Sequence, residues 1–287
     1  MFDNVKGERD RPAIVRCVAP PSRNSPPTAP ATTAPRAARA RRGAARRATH
    51  SLEQILSTAI DVLDRDGTKG LTLRGLAAEL GGGLGSVYWY VDGKAEVLTL
   101  ACDALVGEAL ARAEAASTSG DQAGGPELET SDPTIVAAVA DLRRTAIALF
   151  EQTQLHPWLA LQLQVQGAGA PNALRCWERL GRPLAAMGLS PRQQFHGSTA
   201  ISGYVIGVAA EMSAQDLHAD PERSKTEQLD EIVSGWLATD PTEFSWIHSI
   251  ADEFRSHDDD DQFAAGLDLL LGGLVRQAVG RDGGTPD

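Results

Sequence analysis

The chain has few residues of the kinds that mark secreted, membrane or metal-binding proteins. Its 287 residues include three cysteines, Cys17, Cys102 and Cys176, which lie far apart and in no Cys-x-x-Cys spacing. This odd, scattered set predicts reduced thiols rather than a disulfide framework or a metal site. The sequence has no run of eighteen apolar residues and no hydrophobic signal segment at its start. We therefore expect a cytoplasmic protein without a membrane span.

The sequence also lacks the patterns that carry common enzymatic chemistry. It has no phosphate-binding glycine loop before a helix, no Glu-x-x-His pair and no recognisable nucleophile setting. His248, Asp252, Glu253 and His257 do fall at i,i+4 spacings on one predicted helix, which resembles a metal or acid–base site. Because no second cluster completes that site, we interpret the four residues as a solvated face. The sequence predicts no enzyme, no cofactor and no metal.

Acidic residues dominate the chain, but its basic residues are concentrated at one end. The formal net charge is −11, yet residues 1–47 hold eleven Lys and Arg against three acids, while the rest hold 16 basic and 35 acidic residues. Residues 36–47 contain six arginines and no acid. This Pro-, Ala- and Arg-rich composition predicts disorder. It fits a basic arm, a transit peptide or a stretch upstream of the start codon used in the cell.

Apolar residues at helical spacing predict an all-α protein. A first helix covers about residues 52–65 and opens with Ser51 and Gln54 in a capping-box pattern. Thr72 caps a short second helix, a third covers residues 84–91, and a long fourth runs from Lys94 to about residue 116. A polar loop follows at residues 117–133. Further helices are predicted near residues 134–154, 157–167, 171–187, 191–215, 222–238, 242–256 and 261–279.

Residues 71–98, LTLRGLAAELGGGLGSVYWYVDGKAEVL, carry the most specific signal. Two short helices joined by a tight glycine turn form a helix-turn-helix, whose second helix can enter a DNA major groove. The string SVYWYVDGKAEVL resembles the DNA-binding domain of the TetR family of bacterial transcriptional regulators. In that family an apolar-Tyr-x-aromatic-apolar run precedes a helix-opening Lys. HPWLALQLQ, AMGLSPRQ and FAAGLDLLLGGL resemble, more weakly, the tetracycline-repressor-like C-terminal domain.

The resemblance implies a division of the chain into four parts. Residues 1–47 are expected to be a disordered Arg-rich arm, and residues 48–100 a three-helix helix-turn-helix DNA-binding domain. Residues 101–280 are expected to form a larger helical domain for ligand binding and dimerisation, and residues 281–287 a disordered tail.

The resemblance also implies which side chains contact DNA. Residues matching Tyr88, Tyr90 and Lys94 commonly contact phosphates in this family. The residue matching Ser86 can reach a base edge, and the one matching Arg74 often contacts DNA. Tyrosine hydroxyls donate to phosphate oxygens, while base edges need short polar side chains near the groove floor, so the chemistry agrees.

The face opposite these residues is expected to pack against the first two helices. Leu84, Val87 and Val91 share that face at spacings of three and four. Aromatic residues at helical spacing belong more often to a core than to a binding surface, and we therefore expect Trp89 to be buried.

The recognition region departs from the family pattern at Gly83, Leu84 and Gly85, where polar residues, Thr or Pro are usual. Glycine offers no side-chain hydrogen bond and costs about 0.5–1 kcal/mol of helix propensity. We therefore expect few direct side-chain contacts between the recognition region and base edges. Arginines of the arm, Arg46 and Arg47 in particular, are predicted to compensate by entering an adjacent minor groove.

Two C-terminal stretches, residues 193–212 and 263–279, are too apolar for solvent-facing helices. Their small residues let helices approach closely, and the resemblance implies a four-helix interface between two protomers. Ordinary packing within one chain is the alternative. The predicted interface residues are Ile201, Tyr204, Val208, Leu267, Leu270, Leu271 and Leu274.

An effector pocket is predicted among the middle helices. An apolar cavity with a few amides suits a drug-sized, mostly hydrophobic ligand. Plain core packing is the alternative for each single residue. From sequence pattern and the family resemblance, the predicted pocket residues are Phe150, Trp158, Gln162, Gln166, Trp177 and Tyr204, with Leu161 and Met187 as further candidates.

The leading hypothesis is a ligand-responsive transcriptional repressor. A dimer would place two reading helices about one DNA turn apart and so require a roughly palindromic operator. Binding of an effector would favour a conformer in which the distance between the two reading helices no longer matches the operator. The alternatives are an architectural DNA-binding protein without an effector, and an α-helical enzyme or carrier with a fortuitous helix-turn-helix pattern.

Overall fold

A computed structural model describes residues 50–119, 125–126, 128, 130–165, 169–218 and 223–280. The predicted arm, with Arg46 and Arg47, and the predicted tail lie outside the described residues. All regular structure in the described part is helical, which confirms the all-α prediction. The twelve helices of this part are α1 Leu52–Gly70, α2 Leu73–Glu79, α3 Leu84–Val87, α4 Lys94–Ser119, α5 Pro133–Leu155, α6 Pro157–Leu163, α7 Pro171–Ala186, α8 Pro191–His218, α9 Lys225–Leu237, α10 Ser245–Ser249, α11 Ala251–Ser256 and α12 Asp259–Val279.

The first helices begin where the sequence provides caps. The Ser51 hydroxyl accepts a hydrogen bond from the Gln54 backbone N–H at 3.1 Å, and the Gln54 side chain accepts one from the Ser51 N–H at 2.9 Å. This reciprocal pair is the predicted capping box. The Thr72 hydroxyl accepts from the Gly75 N–H at 3.0 Å and caps α2 in the same way.

Several helices differ from the sequence prediction, among them α6, which ends at Leu163 rather than near residue 167. The helical assignment of α1 continues to Gly70 across Gly67, whose φ of 65° and ψ of −177° are not helical, so the helix does break close to residue 65, where the first predicted helix ends. Helix α3 is a single turn that ends at Val87 rather than residue 91. The helix predicted over residues 242–256 is interrupted at Ile250, which separates α10 from α11.

Apolar side chains form two clusters, one for each part of the fold. We call residues 50–93, which contain α1–α3, the head, and residues 130–280, which contain α5–α12, the body. The head cluster contains buried side chains from α1–α3, from the start of α4 and from α6, including Ile55, Leu76, Val87, Val97 and Leu159. The body cluster includes Leu142, Leu180, Leu184, Ile201 and Leu267. Helix α4 runs unbroken across residue 100, where the sequence predicted a domain boundary; that boundary stays a prediction.

Candidate nucleic-acid interface

The turn between α2 and α3 depends on glycine. Gly81 has a φ of +67°, a left-handed conformation that glycine adopts without steric cost. The N–H groups of Gly81 and Gly82 donate to the carbonyl oxygens of Ala78 and Ala77, each at 3.0 Å. These bonds close the turn and set the direction in which α3 leaves α2.

Gly82 also lets the start of the described chain approach α3. A Cβ atom at this position would lie 2.8 Å from the His50 Nε2 atom, closer than real Cβ atoms approach, and 3.1 Å from the Ser86 Oγ atom, a tight contact. The Tyr90 hydroxyl donates to the His50 carbonyl oxygen at 2.7 Å. His50 is therefore held against the segment that carries the predicted DNA contacts.

Helix α3 and the turn after it are anchored by two valines. Val87 and Val91 are 0% and 1% exposed and pack in the head cluster, as predicted. Tyr88 and Trp89, between them, are 52% and 65% exposed. The expected burial of Trp89 is wrong, because the two valines at i,i+4 spacing already fill the core side of this single turn.

The side chains predicted to contact DNA differ in whether their polar atoms are already hydrogen-bonded within the chain. Arg74 on α2 and the Tyr88 hydroxyl have no hydrogen-bond or ion-pair partner within the described residues, and Arg74 is exposed. The Ser86 hydroxyl donates to the Gly83 carbonyl at 2.6 Å. The Lys94 Nζ donates to the Thr68 carbonyl at 2.5 Å. The single O–H of Tyr90 is donated to the His50 carbonyl oxygen.

Arg65 is a basic residue of the head whose positive charge is already paired with two carboxylates. It forms ion pairs with Asp66 at 2.8 Å and Glu79 at 2.6 Å. Hydrogen bonds to these two carboxylates raise the pKa of the guanidinium. Of the basic side chains described in the head, this leaves Arg74 and Lys69 exposed and without a partner among the described residues.

Three of the aromatic residues in the body form a continuous stack. The Phe150 and Phe263 rings lie 3.8 Å apart at an angle of 5°, and Tyr204 lies 5.4 Å from Phe263. The Tyr204 hydroxyl donates to the Phe263 carbonyl at 3.1 Å, and partial burial raises the pKa of that hydroxyl. A Cβ atom at Gly266 would overlap the hydroxyl oxygen, so a larger residue there would require the Tyr204 ring to move.

The structure places the predicted pocket residues in different surroundings. Phe150 is buried in the body cluster, whereas Trp158 is buried in the head cluster. Gln162 and Trp177 are half-buried, and Gln166 lies outside the described residues. The prediction grouped these residues by sequence pattern and family resemblance, neither of which reveals that α6 contributes Trp158 to the head cluster.

One groove of about 520 Å³ lies at the end of the body where α5 begins and α7 and α12 end. Of the predicted pocket residues, Met187 lines it. The remaining lining residues are Asp132, Thr134, Ile135, Ala186, Gly188 and Ala278.

The two helices predicted to form a dimer interface bury most of the residues named for it. Ile201, Leu267, Leu271 and Leu274 are 0–7% exposed within the chain's own body cluster. Tyr204, Val208 and Leu270 are half-buried. The four buried side chains have no surface for a partner, because the most apolar stripe of each helix faces its own core. The exposed residues of the same helices include Ala200, Gly203 and Gly207 on α8, and Ala265 and Leu269 on α12.

The four polar residues interpreted as a solvated face do not come together as a site. The break at Ile250 separates His248 from the rest; its Nε2 atom lies 3.2 Å from the Thr239 hydroxyl. Asp252 pairs with Arg255 at 2.8 Å, and His257 lies 3.3 Å from Asp259. The described residues contain no group of three or more side chains placed to hold a metal ion. Both described cysteines, Cys102 and Cys176, are free.

Comparisons with known proteins identify the family of this fold. Residues 138–278 match the family described as "Tetracyclin repressor-like, C-terminal domain". The structure of SCO7222, a TetR from Streptomyces coelicolor, is similar with a TM-score of 0.64 and 34% identity, covering 79% of this chain and 98% of that one. The chain belongs to the TetR family of transcriptional regulators. Membership confirms the expectation of a regulator rather than an enzyme.

Two relatives agree with this assignment. An HTH-type transcriptional regulator from Saccharopolyspora erythraea is 36% identical over 160 residues, or 55% of this chain; the match spans 60% of that protein, less than two thirds of its length. The HTH-type transcriptional repressor DrrR1 of Streptomyces coeruleorubidus is 27% identical over 234 residues, covering 79% of this chain and 77% of that protein. None of the described helices is both long and apolar enough to cross a membrane.

Proposed function

We propose that this TetR-family chain is a ligand-responsive repressor that binds a roughly palindromic DNA operator as a homodimer in the cytoplasm. The observation that carries the proposal is the exposure of Arg74, Tyr88 and Trp89 around a helix-turn-helix whose core side is filled by Val87 and Val91. Tyr88 and Trp89 are adjacent exposed aromatic residues directly after the short reading helix, and such a patch is typical of an interaction surface. A relative named as a repressor supports the direction of regulation.

These side chains suit two kinds of DNA contact, one to base edges and one to phosphate oxygens. The Trp89 ring suits apolar contact with a thymine methyl group, while the Arg74 guanidinium and the Tyr88 hydroxyl suit base edges or phosphate oxygens. Lys94 has three N–H donors and uses one on Thr68, so two remain for a phosphate. Ser86 donates within the chain and can still accept from a base amino group.

The arginine arm supplies positive charge that the described head lacks. Arg46 and Arg47 precede His50 by only a few residues, and His50 is fixed beside α3 by Tyr90 and by its approach to Gly82. Arginines leaving from this point would meet phosphates or the minor groove next to the reading helix. The arm therefore contributes salt-dependent affinity in this proposal.

The dimer forms through exposed small and apolar residues of α8 and α12. Ala200, Gly203 and Gly207 leave one side of α8 nearly flat, and Leu269 on α12 is 80% exposed. Flat helices approach closely, and burial of Leu269 adds hydrophobic stabilisation. Such an interface holds two heads side by side for two half-sites.

The effector is a small, mostly hydrophobic molecule that binds the body among α5–α8. The match to the tetracycline-repressor-like domain and the half-buried Gln162 and Trp177 support this part of the proposal. An effector that favours a different head separation by about 1–3 kcal/mol would be enough for regulation.

The direct test is selection of binding sites from a pool of random DNA duplexes, followed by affinity measurements across a salt series. Enrichment of a palindrome, nanomolar affinity and weakening as salt rises are the expected results. Binding without sequence preference would instead indicate an architectural protein. Absence of binding at low salt would contradict DNA recognition altogether.

A further inference from the structure

A single carboxylate on the head receives two side chains from the start of α6. The Trp158 indole N–H donates to the Asp64 Oδ1 atom at 2.7 Å. The His156 Nδ1 atom lies 2.8 Å and 3.0 Å from the two carboxylate oxygens of Asp64. Among the described residues, the hydrogen bonds between side chains of the head and of the body all end on Asp64.

Helix α6 is placed to connect the two parts of the fold. Trp158 and Leu159 are 8% and 1% exposed and pack in the head cluster. The next residue, Ala160, is fully buried in the body cluster, and α6 packs along α8. A seven-residue helix with neighbours on both sides cannot shift without moving one of them.

Apolar packing and hydrogen bonding contribute differently to this junction. The burial of Trp158 holds head and body together but does not favour a particular angle, because hydrophobic attraction has no direction. Hydrogen bonds to a carboxylate are short and directional, and two donors converging on one carboxylate define an orientation.

We propose that Asp64, His156 and Trp158 form a polar latch that fixes the angle of the head on the body. In the dimer this angle sets the separation of the two reading helices. The inference rests on the proposed function, since the angle matters only to a dimer that binds two half-sites. Asp64 is a positioning residue in this scheme and does not contact DNA.

The latch is tested with Asp64→Ala and Trp158→Phe, which remove the acceptor and the indole donor. Asp61→Ala is the matched control, because Asp61 is an exposed acid one turn earlier on α1 with no partner among the described residues. Affinity is measured for the palindrome that the wild-type protein selects from random duplexes and for one half of that palindrome. Head folding is followed by thermal unfolding.

Asp64→Ala should weaken binding to the full palindrome at least about tenfold relative to Asp61→Ala, because two linked heads gain affinity only when their separation matches the site. Binding to the half-site should be unchanged, since one head needs no fixed angle. Equal full-site affinities of the two variants would overturn the latch. So would a parallel loss on both duplexes, which indicates a damaged head.

A measurement without DNA separates failure of the latch from failure of the proposed function. Spin labels are attached at Lys69→Cys, an exposed position on the head, in a Cys17→Ser background, and the distance between the two heads of a dimer is measured. Asp64→Ala should broaden the distance distribution, whereas Asp61→Ala should leave it narrow. Identical distributions would contradict the latch. Failure of the wild-type protein to select any duplex would contradict the proposed function alone.

Discussion

The Tyr90 hydroxyl donates a hydrogen bond to the His50 carbonyl oxygen at 2.7 Å, across forty residues of sequence. His50 follows directly on the part of the chain that carries the arginines, and Tyr90 lies in the segment predicted to read DNA. The bond therefore fixes the position of the His50 backbone, three residues after Arg47 in the sequence. It gives Tyr90 a role that phosphate contact alone does not describe.

Tyr90→Phe should weaken DNA binding by about two- to tenfold, since a net hydrogen bond is worth about 0.5–1.5 kcal/mol. The loss should come from a misdirected arm and appear as a smaller salt dependence of binding. A chain lacking residues 1–47 provides the control, because the substitution should have no effect there. If the loss persists without the arm, Tyr90 contacts DNA itself.

Trp89→Ala and Arg74→Ala should each reduce operator affinity about tenfold or more, as loss of a DNA-contacting side chain costs about 1–3 kcal/mol. Thermal stability should change little, because both side chains are exposed. Trp246→Ala is the matched control, since Trp246 is also largely exposed but lies on α10 in the body. Equal operator affinities of the Trp89→Ala and Trp246→Ala proteins would show that the Trp89 ring does not contact DNA.

Leu269→Glu should dissociate the dimer, because a charge in an apolar interface loses its hydration without a partner. We expect the dimer dissociation constant, measured by analytical ultracentrifugation, to rise at least about tenfold. Leu174→Glu on α7 introduces the same change at another exposed leucine. A Leu269→Glu protein as dimeric as the Leu174→Glu protein would place the interface elsewhere.

Gly266→Ala should lower the free energy of unfolding by about 1–3 kcal/mol, the usual cost of overpacking. The new methyl group overlaps the Tyr204 hydroxyl, and stacking against Phe263 limits how far that ring can move. The cost should be smaller in a Tyr204→Phe background, which removes the closest atom. Strict additivity of the two substitutions in denaturant unfolding would show that the residues do not interact.

The two described cysteines should resist thiol reagents in the native protein at pH 8. Burial raises the pKa of Cys102 to about 12 and that of Cys176 to about 11, so both remain neutral thiols at this pH. Reaction is measured with and without denaturant in a Cys17→Ser background. Burial also opposes ionisation in the folded state only, so stability should fall as the pH rises above the ordinary thiol pKa of about 8.5. Rapid native labelling would contradict the packing around these residues.

The helices and the reading motif were predictable because their signals are local. Ser51 and Gln54 form the predicted capping box, and Val87 and Val91 take the predicted core side of the helix-turn-helix. Caps, glycine turns and helical spacing act within a few residues, so the sequence contains them in full. The family resemblance drew on the same local strings.

The features that the sequence did not predict lie where a side chain's surroundings come from distant parts of the chain. Trp89 is exposed because the valines fill the core side of α3, and Trp158 lies in the head because α6 crosses from the body. The most apolar stripes of α8 and α12 face their own core, which leaves the small residues and Leu269 outside.

The sequence by itself determined the helices, the helix-turn-helix and the uneven distribution of charge, because each depends on neighbouring residues or on composition. The tertiary structure alone decided that Asp64 meets His156 and Trp158, more than ninety residues later, and that Tyr90 holds His50. Helical periodicity specifies which residues share a face. It cannot specify which residues that face will contact, because those contacts depend on the packing of the whole chain.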